Sequence, residues 1–165
     1  MLFIQSVVHV IDFIVTFSLM LAGCDLRNQV PKELSFLNRL IDLNLMDNWL
    51  TGTIPDEIGS MKELLYLSMS GNFLTGTIPE SIFNMRQIDT IEFFWNELSG
   101  TISASVGNAS NAKSIFLFEN FLSGTIPDSI GEMNELRKLV SSTVLRILLM
   151  IHINLNSTSF VYATK

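Results

Sequence analysis

The chain has little of what reactive sites need. Its 165 residues include one cysteine, Cys24, and two histidines, His9 and His152. A single cysteine excludes an intrachain disulfide. The two histidines stand near opposite ends of the chain, and neither has an acidic or cysteine neighbour at the spacing of a metal site. No constellation of catalytic residue types is present. We therefore expect a protein that is not an enzyme and that holds no cofactor or metal ion.

Positive charge is also scarce. Ten lysines and arginines face 16 aspartates and glutamates, which leaves a net charge of −6. Nucleic-acid binding requires basic patches, so this balance argues against it. It argues mildly against anionic membrane surfaces as well. Because 48% of the residues are hydrophobic and only 16% are charged, we expect a folded chain rather than a disordered one, and its length suggests one domain.

A repeat of 24 residues runs through the middle of the chain. Four segments that begin at Leu37, Met61, Met85 and Ala109 share the pattern Leu-x-Leu-x-x-Asn-x-Leu-x-Gly-x-Ile-Pro. The asparagine position holds Asn48, Asn72, Asn96 and Asn120. A fixed period of this length predicts a solenoid, in which each repeat forms one coil and stacks on the next.

Each part of the pattern has a physical interpretation. Leu-x-Leu alternates apolar and outward positions, which predicts a short strand with its leucines in the core. A buried asparagine must find hydrogen-bond partners, and the backbone of the turn in the neighbouring coil can supply them. Glycine permits a turn conformation that a Cβ would block, and proline suits the return side of the coil. We therefore expect the asparagines to form a structural ladder.

The pattern resembles the leucine-rich repeat family. The segments Leu50–Pro55 and Leu74–Pro79 both read Leu-Thr-Gly-Thr-Ile-Pro, which is similar to the ending of the 24-residue subtype abundant in plant receptor-like proteins. Departures are few, among them Ser103 in the proline column and Ala112 in a leucine column. The cysteine-paired N-terminal cap that secreted members usually share is missing, because Cys24 stands alone.

The resemblance implies both a fold and a class of function. The implied fold is an α/β solenoid, a right-handed curved superhelix with a parallel sheet on its concave face and 3₁₀ or irregular segments on its convex side. The implied function is recognition in signalling, with a protein or peptide ligand bound on the concave face. No kinase signature is present, so any signalling output would lie elsewhere.

Aromatic residues cluster at outward strand positions of the third and fourth coils. Positions 24 apart in sequence become neighbours on the sheet, and exposed aromatic clusters are typical of interface hot spots. We expect the partner-binding residues to be Phe94, Trp95, Phe116 and Phe118, with Glu92 and Tyr66 beside them. Two other interpretations stay open. Trp95 could fold against the edge of its coil, and the apolar C-terminal segment could cover the phenylalanines.

The N-terminal 21 residues are strongly apolar. A cleaved signal is disfavoured because no lysine or arginine precedes Arg27. A membrane anchor across residues 1–21 is long enough, but Asp12 and His9 would make it costly. The 24-residue frame continues through residues 13–36 and places Cys24 in the asparagine column, where we expect it to be a small buried group. We therefore favour a degenerate repeat here.

These patterns give the expected organisation of the chain. Residues 1–12 form an apolar segment that is a degenerate cap or an anchor, residues 13–143 form about six coils, and residues 144–165 form a C-terminal cap and a frayed tail. Two alternatives to a free-standing recognition module remain, a membrane-anchored repeat protein and a gene fragment without independent function. A receptor-like protein would be membrane-associated or extracellular, and otherwise cytoplasmic. In the secretory pathway Asn108 and Asn156 would be candidate glycosylation sites.

Overall fold

The computed structural model describes residues 17–141 and the backbone of residues 160–163. Short parallel strands alternate with short helices along this part of the chain. The strands are β1 (Ser18–Met20), β2 (Arg27–Gln29), β3 (Asp42–Asn44), β4 (Trp49–Thr53), β5 (Tyr66–Ser68), β6 (Phe73–Thr75), β7 (Thr90–Glu92), β8 (Ser99–Thr101), β9 (Ser114–Phe116), β10 (Phe121–Ser123), β11 (Lys138–Ser141) and β12 (Phe160–Ala163). The 3₁₀ helices are Lys32–Phe36, Asp56–Ser60, Ala104–Asn108 and Asp128–Glu132, and the α-helix α1 is Glu80–Phe83.

One long parallel sheet runs through every coil. Its order is β1-β3-β5-β7-β9-β11-β12. Successive strands from β1 to β11 pair one period apart, so that Leu19 lies opposite Leu43 and Leu43 opposite Leu67. The outward residues of this sheet therefore form columns 24 apart in sequence. The last strand, β12, pairs with β11 and lies in the segment that was expected to be a cap and a frayed tail. We call the exposed side of the long sheet, with the loop residues that directly follow its strands, the strand face.

Two smaller sheets lie beside the long one. They have the orders β2-β4-β6 and β10-β8, and their strands are also parallel. Thr53 pairs with Thr75 and Thr101 pairs with Ser123, so neighbouring strands here are offset by 22 residues rather than 24. We call the exposed side of these sheets the lateral face.

The core consists of the apolar columns of the repeat. Leu43, Leu67, Ile91 and Ile115 are fully buried in the long sheet. On the opposite side each short helix buries an apolar residue that closes the core of its coil, as Ile58 and Val106 do. Parallel strands on one side and 3₁₀ helices on the other confirm the predicted solenoid.

Proline precedes most of the short helices. Its ring sets a φ of −66° at Pro55 and −61° at Pro79, which is the extended conformation that the chain needs as it enters the helix. Ser103 replaces proline and reaches a φ of −65° without the ring. Its hydroxyl accepts a hydrogen bond from the N–H of Ser105 at 3.2 Å, so a side-chain cap takes over the role of the ring.

The asparagine side chains hold successive coils together. Asn72 accepts a hydrogen bond from the N–H of Leu50 in the preceding coil at 3.0 Å, and its amide donates to the carbonyl of Leu45 at 3.0 Å. Asn96 repeats this geometry one coil later, with the N–H of Leu74. Backbone groups inside the turns are thereby satisfied where water does not reach them.

Cys24 departs from the expectation for its column. We expected it to be buried, and this prediction is wrong, because the residue is exposed. Its N–H donates to the side-chain oxygen of Asn48 at 3.1 Å, and its thiol lies 3.6 Å from the carbonyl oxygen of Ala22. The reason is that the asparagines of this column are held inside the coil by strong hydrogen bonds of their amide groups, whereas a thiol forms only weak hydrogen bonds.

The predicted membrane anchor falls largely outside the described residues. Of residues 1–21, only 17–21 are described, and they form β1 with one residue on either side of it. Within the described ranges, no helix has the length and apolar character needed to cross a bilayer.

Candidate functional site

Three of the four predicted aromatic residues form one ring cluster on the strand face. Phe94 and Phe118 stack with their ring centres 4.7 Å apart and their planes 3° apart. The indole of Trp95 meets both edge-on, at 5.4 Å from Phe94 and 6.3 Å from Phe118. Both geometries are favourable for aromatic pairs. Trp95 remains 56% exposed, so the cluster presents a large ring to solvent. We call Phe94, Trp95 and Phe118 the ring cluster.

Phe116 lies on the same sheet but outside the ring cluster. It is half-buried in β9 and sits opposite Glu92. Among the ring contacts within residues 17–141, Phe116 makes none with the other three aromatic residues. The C-terminal segment proposed as a cover for the phenylalanines, residues 144–155, lies outside the described residues.

Trp95 occupies an unusual backbone conformation. Its φ is +54°, in the left-handed region, and the same column holds Asp47 at +52°, Gly71 at +65° and Glu119 at +53°. The turn into the asparagine therefore requires this conformation in every coil. For a residue with a Cβ it costs about 1–2 kcal/mol, and a bulky side chain there is uncommon. A glycine-like position thus carries the largest side chain of the strand face.

A polar pair lies next to the ring cluster. The hydroxyl of Tyr66 donates to Glu92 at 2.7 Å. Burial, followed by the hydrogen bond to Glu92, raises the pKa of Tyr66 to about 12. Tyr66 therefore stays protonated at neutral pH and holds one carboxylate oxygen of Glu92. The predicted neighbours Glu92 and Tyr66 are brought together, and Glu92 lies two residues before Phe94 on the same strand face.

Negative charge dominates the described strand face. Its outward columns carry the carboxylates of Asp42, Asp47, Glu92 and Glu119 and one cation, Lys138. The ion pair found within residues 17–141 joins Lys113 and Asp89 at 2.5 Å, in the column that precedes the strands. Asp47, Glu92 and Glu119 thus carry charge that no described basic side chain neutralises.

The lateral face carries a second row of exposed aromatic residues that the sequence interpretation missed. Trp49, Phe73 and Phe121 are 48%, 43% and 70% exposed. Trp49 stacks on Phe73 at 5.7 Å, and the guanidinium of Arg27 lies 5.4 Å from the Trp49 ring centre. Because Trp49 already contacts Phe73 and Arg27, part of the surface of Trp49 and Phe73 is used to join coils. The signal was present in the column directly after the asparagine.

Threonine residues form a regular row on the same lateral face. The methyl groups of Thr53, Thr77 and Thr101 lie 2.8–2.9 Å from where a Cβ would stand on the glycine of the next coil. These glycines have φ between +77° and +83°, so both space and backbone conformation exclude a larger residue. The three threonines are exposed.

The remaining candidate positions are dispersed. Asn108 is exposed, and its side chain donates to that of Asn84 at 2.9 Å, whereas Asn156 lies outside the described residues. The carboxylates that follow the prolines, Asp56 and Glu57 among them, lie exposed in the first turns of the short helices. Within residues 17–141 no three histidine, cysteine or acidic side chains are grouped so as to hold a metal ion.

The repeat region of the chain is similar to known proteins. The family model for the Leucine Rich Repeat matches residues 39–61 and 63–85. No curated protein matches the sequence. Among solved structures, the chain is similar to the ectodomain of the receptor kinase GASSHO1/SCHENGEN3 of Arabidopsis thaliana, in complex with CASPARIAN STRIP INTEGRITY FACTOR 2. The identity is 30% and the TM-score 0.70, over 74% of this chain and 15% of that one.

Two further structures show the same likeness. The BIR2 ectodomain of Arabidopsis thaliana is 30% identical with a TM-score of 0.64, over 68% of this chain and 59% of that one. A plant ice-binding protein is 26% identical with a TM-score of 0.69, over 76% of this chain and 40% of that one. The chain therefore spans less than two thirds of each of these structures. The repeat, the stacked parallel strands and these matches together show that the chain contains leucine-rich repeats, consistent with the 24-residue plant type.

Proposed function

We propose that this protein is a non-enzymatic recognition module that binds a protein or peptide on its strand face, with the ring cluster as the centre of the contact. The observation that carries the proposal is the exposed indole of Trp95, which rests on Phe94 and Phe118 and is held at a backbone position that favours glycine. Two of the similar structures are ectodomains, and one of them belongs to a receptor kinase and is a complex with a named factor. A receptor-like role at the cell surface follows if this chain works as they do.

The exposed area of Trp95 is large enough to anchor a ligand. A tryptophan side chain has up to about 250 Å² of surface. With 56% exposed, a partner can remove about 140 Å² from water. At about 25 cal/mol per Å² this burial contributes about 3–4 kcal/mol before the costs of association. That is the size of a hot-spot residue.

Selection from a random peptide library tests the proposal. The library is selected in parallel against the full chain and against a strand-face variant with Phe94→Ser, Trp95→Ser and Phe118→Ser, which removes the ring cluster. A control variant with Trp49→Ser and Phe73→Ser makes the same kind of change on the lateral face. Circular dichroism of all three proteins establishes that the coils are retained.

We expect peptides that bind the wild type and the lateral control but not the strand-face variant. If every selected peptide binds the strand-face variant as well as the wild type, the ring cluster is not the binding site. If peptides depend on Trp49 and Phe73 instead, recognition belongs to the lateral face.

A second candidate function is binding to ordered water at an ice surface. The observation that favours it is the row of exposed threonines Thr53, Thr77 and Thr101 on three successive coils, together with the likeness to a plant ice-binding protein. Inhibition of ice recrystallisation measures it directly. The double variant Thr77→Val and Thr101→Val removes two hydroxyls at nearly constant volume, and Thr90→Val on the strand face is the control. If the wild-type protein does not inhibit ice recrystallisation, ice binding is excluded as a function.

A further inference from the structure

The surroundings of Trp95 differ from those of an ordinary apolar hot spot. In the loop column that contains it, the next coil places Glu119 beside it and the preceding coil places Gly71. Neighbouring strands lie about 5 Å apart, so residues of adjacent coils in this column are within reach of one ligand side chain. Glu119 is exposed, and none of the ion pairs within residues 17–141 includes it.

The gap at Gly71 is filled by a carboxylate. The side-chain oxygen Oδ1 of Asp47 occupies the place that a Cβ on Gly71 would take. Asp47 itself belongs to the coil before, so its carboxylate leans across Gly71 in the direction of Trp95. One carboxylate therefore lies on each side of the indole within the same column, Asp47 across Gly71 and Glu119 in the following coil.

Glu92 adds a third carboxylate on the strand side. Tyr66 holds one of its oxygens, Oε2, at 2.7 Å. Its other oxygen receives no hydrogen bond from residues 17–141. Glu92 lies opposite Phe116 and two residues from Phe94, and so flanks the stacked pair. The ring cluster is thus flanked by carboxylates that can pair with a positively charged ligand group.

The indole ring offers the matching apolar platform. Tryptophan is the best ring for a cation–π contact, and a guanidinium stacks on it more readily than an ammonium does, because its plane is weakly hydrated. A planar cation across the indole can at the same time donate to a carboxylate at the ring edge in a bidentate manner. An anionic ligand group would instead meet several uncompensated carboxylates.

We propose that the ring cluster recognises an arginine side chain of a peptide ligand, with the guanidinium stacked on Trp95 and paired with Asp47 or Glu119. This inference rests on the proposed function and specifies the chemistry of the partner. It does not depend on the lateral face.

The experiment uses the peptides selected through the ring cluster. We expect arginine to be enriched among them relative to the unselected library. Each arginine of one such peptide is then replaced by citrulline, which keeps the shape and removes the charge, by lysine, or by glutamate. Dissociation constants are measured by titration calorimetry against the full chain, the double variant Asp47→Asn and Glu119→Gln, and the control variant Asp42→Asn. Asp42 is a carboxylate on the same face but in a different column.

We expect citrulline to weaken binding to the wild type and to the Asp42→Asn control by about tenfold or more, and lysine by less. In the double variant the advantage of the arginine peptide over the citrulline peptide should shrink by about threefold or more, because the two carboxylates that pair with the guanidinium are gone and the stacking on Trp95 remains. Higher salt should also reduce the difference in dissociation constant between the arginine and citrulline peptides in the wild type.

The outcomes separate this inference from the proposed function. If the cluster-dependent peptides contain no excess of arginine, or if citrulline binds as tightly as arginine, the inference is overturned while the proposed function stands. If the arginine peptide keeps its full advantage over the citrulline peptide in the double variant, the assignment of Asp47 and Glu119 is wrong. If no peptide depends on the ring cluster, both proposals fail.

Discussion

Replacement of Asn72 by alanine should show how much one rung of the asparagine ladder contributes to stability. Asn72 is 6% exposed and lies between two regular coils. Its side-chain oxygen accepts from the N–H of Leu50 at 3.0 Å, and its amide donates to the carbonyls of Leu45, Met69 and Ser70 at 3.0–3.1 Å.

The partners of Asn72 lose different shares of their hydrogen bonds when its side chain is removed. The carbonyl of Leu45 also accepts from the side chain of Asn48, the carbonyl of Met69 from Asn96, and the carbonyl of Ser70 from the N–H of Asp47. Each of them keeps a hydrogen bond in the variant. The N–H of Leu50 has Asn72 alone as its acceptor among the described residues, and it would be left buried without one.

The unpartnered N–H of Leu50 accounts for most of the expected change in the free energy of unfolding. A buried N–H without a partner costs about 1–3 kcal/mol. The small cavity left by the amide and the weakened bonds to the carbonyls add about 1 kcal/mol. We therefore expect Asn72→Ala to lower the free energy of unfolding by about 2–4 kcal/mol. That is a large part of the 5–15 kcal/mol typical of a domain.

Urea unfolding followed by circular dichroism and tryptophan fluorescence provides the assay. Repeat arrays lose cooperativity readily, so the comparison requires equal slopes with urea for the two proteins. Asn134→Ala, at an exposed asparagine outside the ladder, is the matched control and should change stability by less than about 0.5 kcal/mol. A loss below about 1 kcal/mol for Asn72→Ala would refute the reasoning that the ladder is the sole acceptor for Leu50.

Three more substitutions test other parts of the structure. Trp95→Gly should leave the free energy of unfolding within about 1 kcal/mol of wild type, because relief of the positive φ offsets the lost ring contacts, yet abolish peptide binding; a large loss in urea unfolding would make the ring structural. Gly100→Ala should destabilise by about 1–3 kcal/mol, because a Cβ would stand 2.9 Å from the methyl of Thr77 at a φ of +83°, and Thr77→Ser in the same chain should restore part of this loss in thermal unfolding. Burial tends to raise the pKa of Asp89, but hydrogen bonds from Lys113 and Thr90 outweigh burial and lower this pKa below 3.8. The ion pair of Asp89 with Lys113 therefore stabilises the fold above pH 3.8, and this stabilisation is lost as the pH falls through the pKa of the folded state. Asp89→Asn should therefore cost up to about 1 kcal/mol at pH 6 and progressively less as the pH falls below 3.8, as measured by melting temperature, and a cost that does not change with pH would contradict the pair's contribution.

Much of the fold follows from the period alone. Because every coil is the same length, residues 24 apart become neighbours on the long sheet, and the apolar columns must form its inner side. The stacking of Phe94 on Phe118 is a direct consequence, since they occupy one column in successive coils. The carboxylates of the strand face can be assigned to columns in the same way.

Other features depended on the packing of individual side chains. The period did not reveal that Phe116 stays apart from the ring cluster, because its ring orientation is set by its immediate neighbours on the sheet. Nor did it reveal that Cys24 is exposed, which follows from the weak hydrogen bonding of a thiol in a column that requires strong acceptors and donors.

The sequence by itself determined which residues share a column, because translation from coil to coil is a property of the repeat length. Only the tertiary structure decided which way the side chains of a column turn and what conformation the backbone adopts there. The left-handed backbone at Trp95 and the carboxylate of Asp47 across Gly71 are both of this kind. They arise where the chain turns between strand and asparagine, and there hydrogen bonds to the next coil, rather than hydrophobic periodicity, set the backbone geometry.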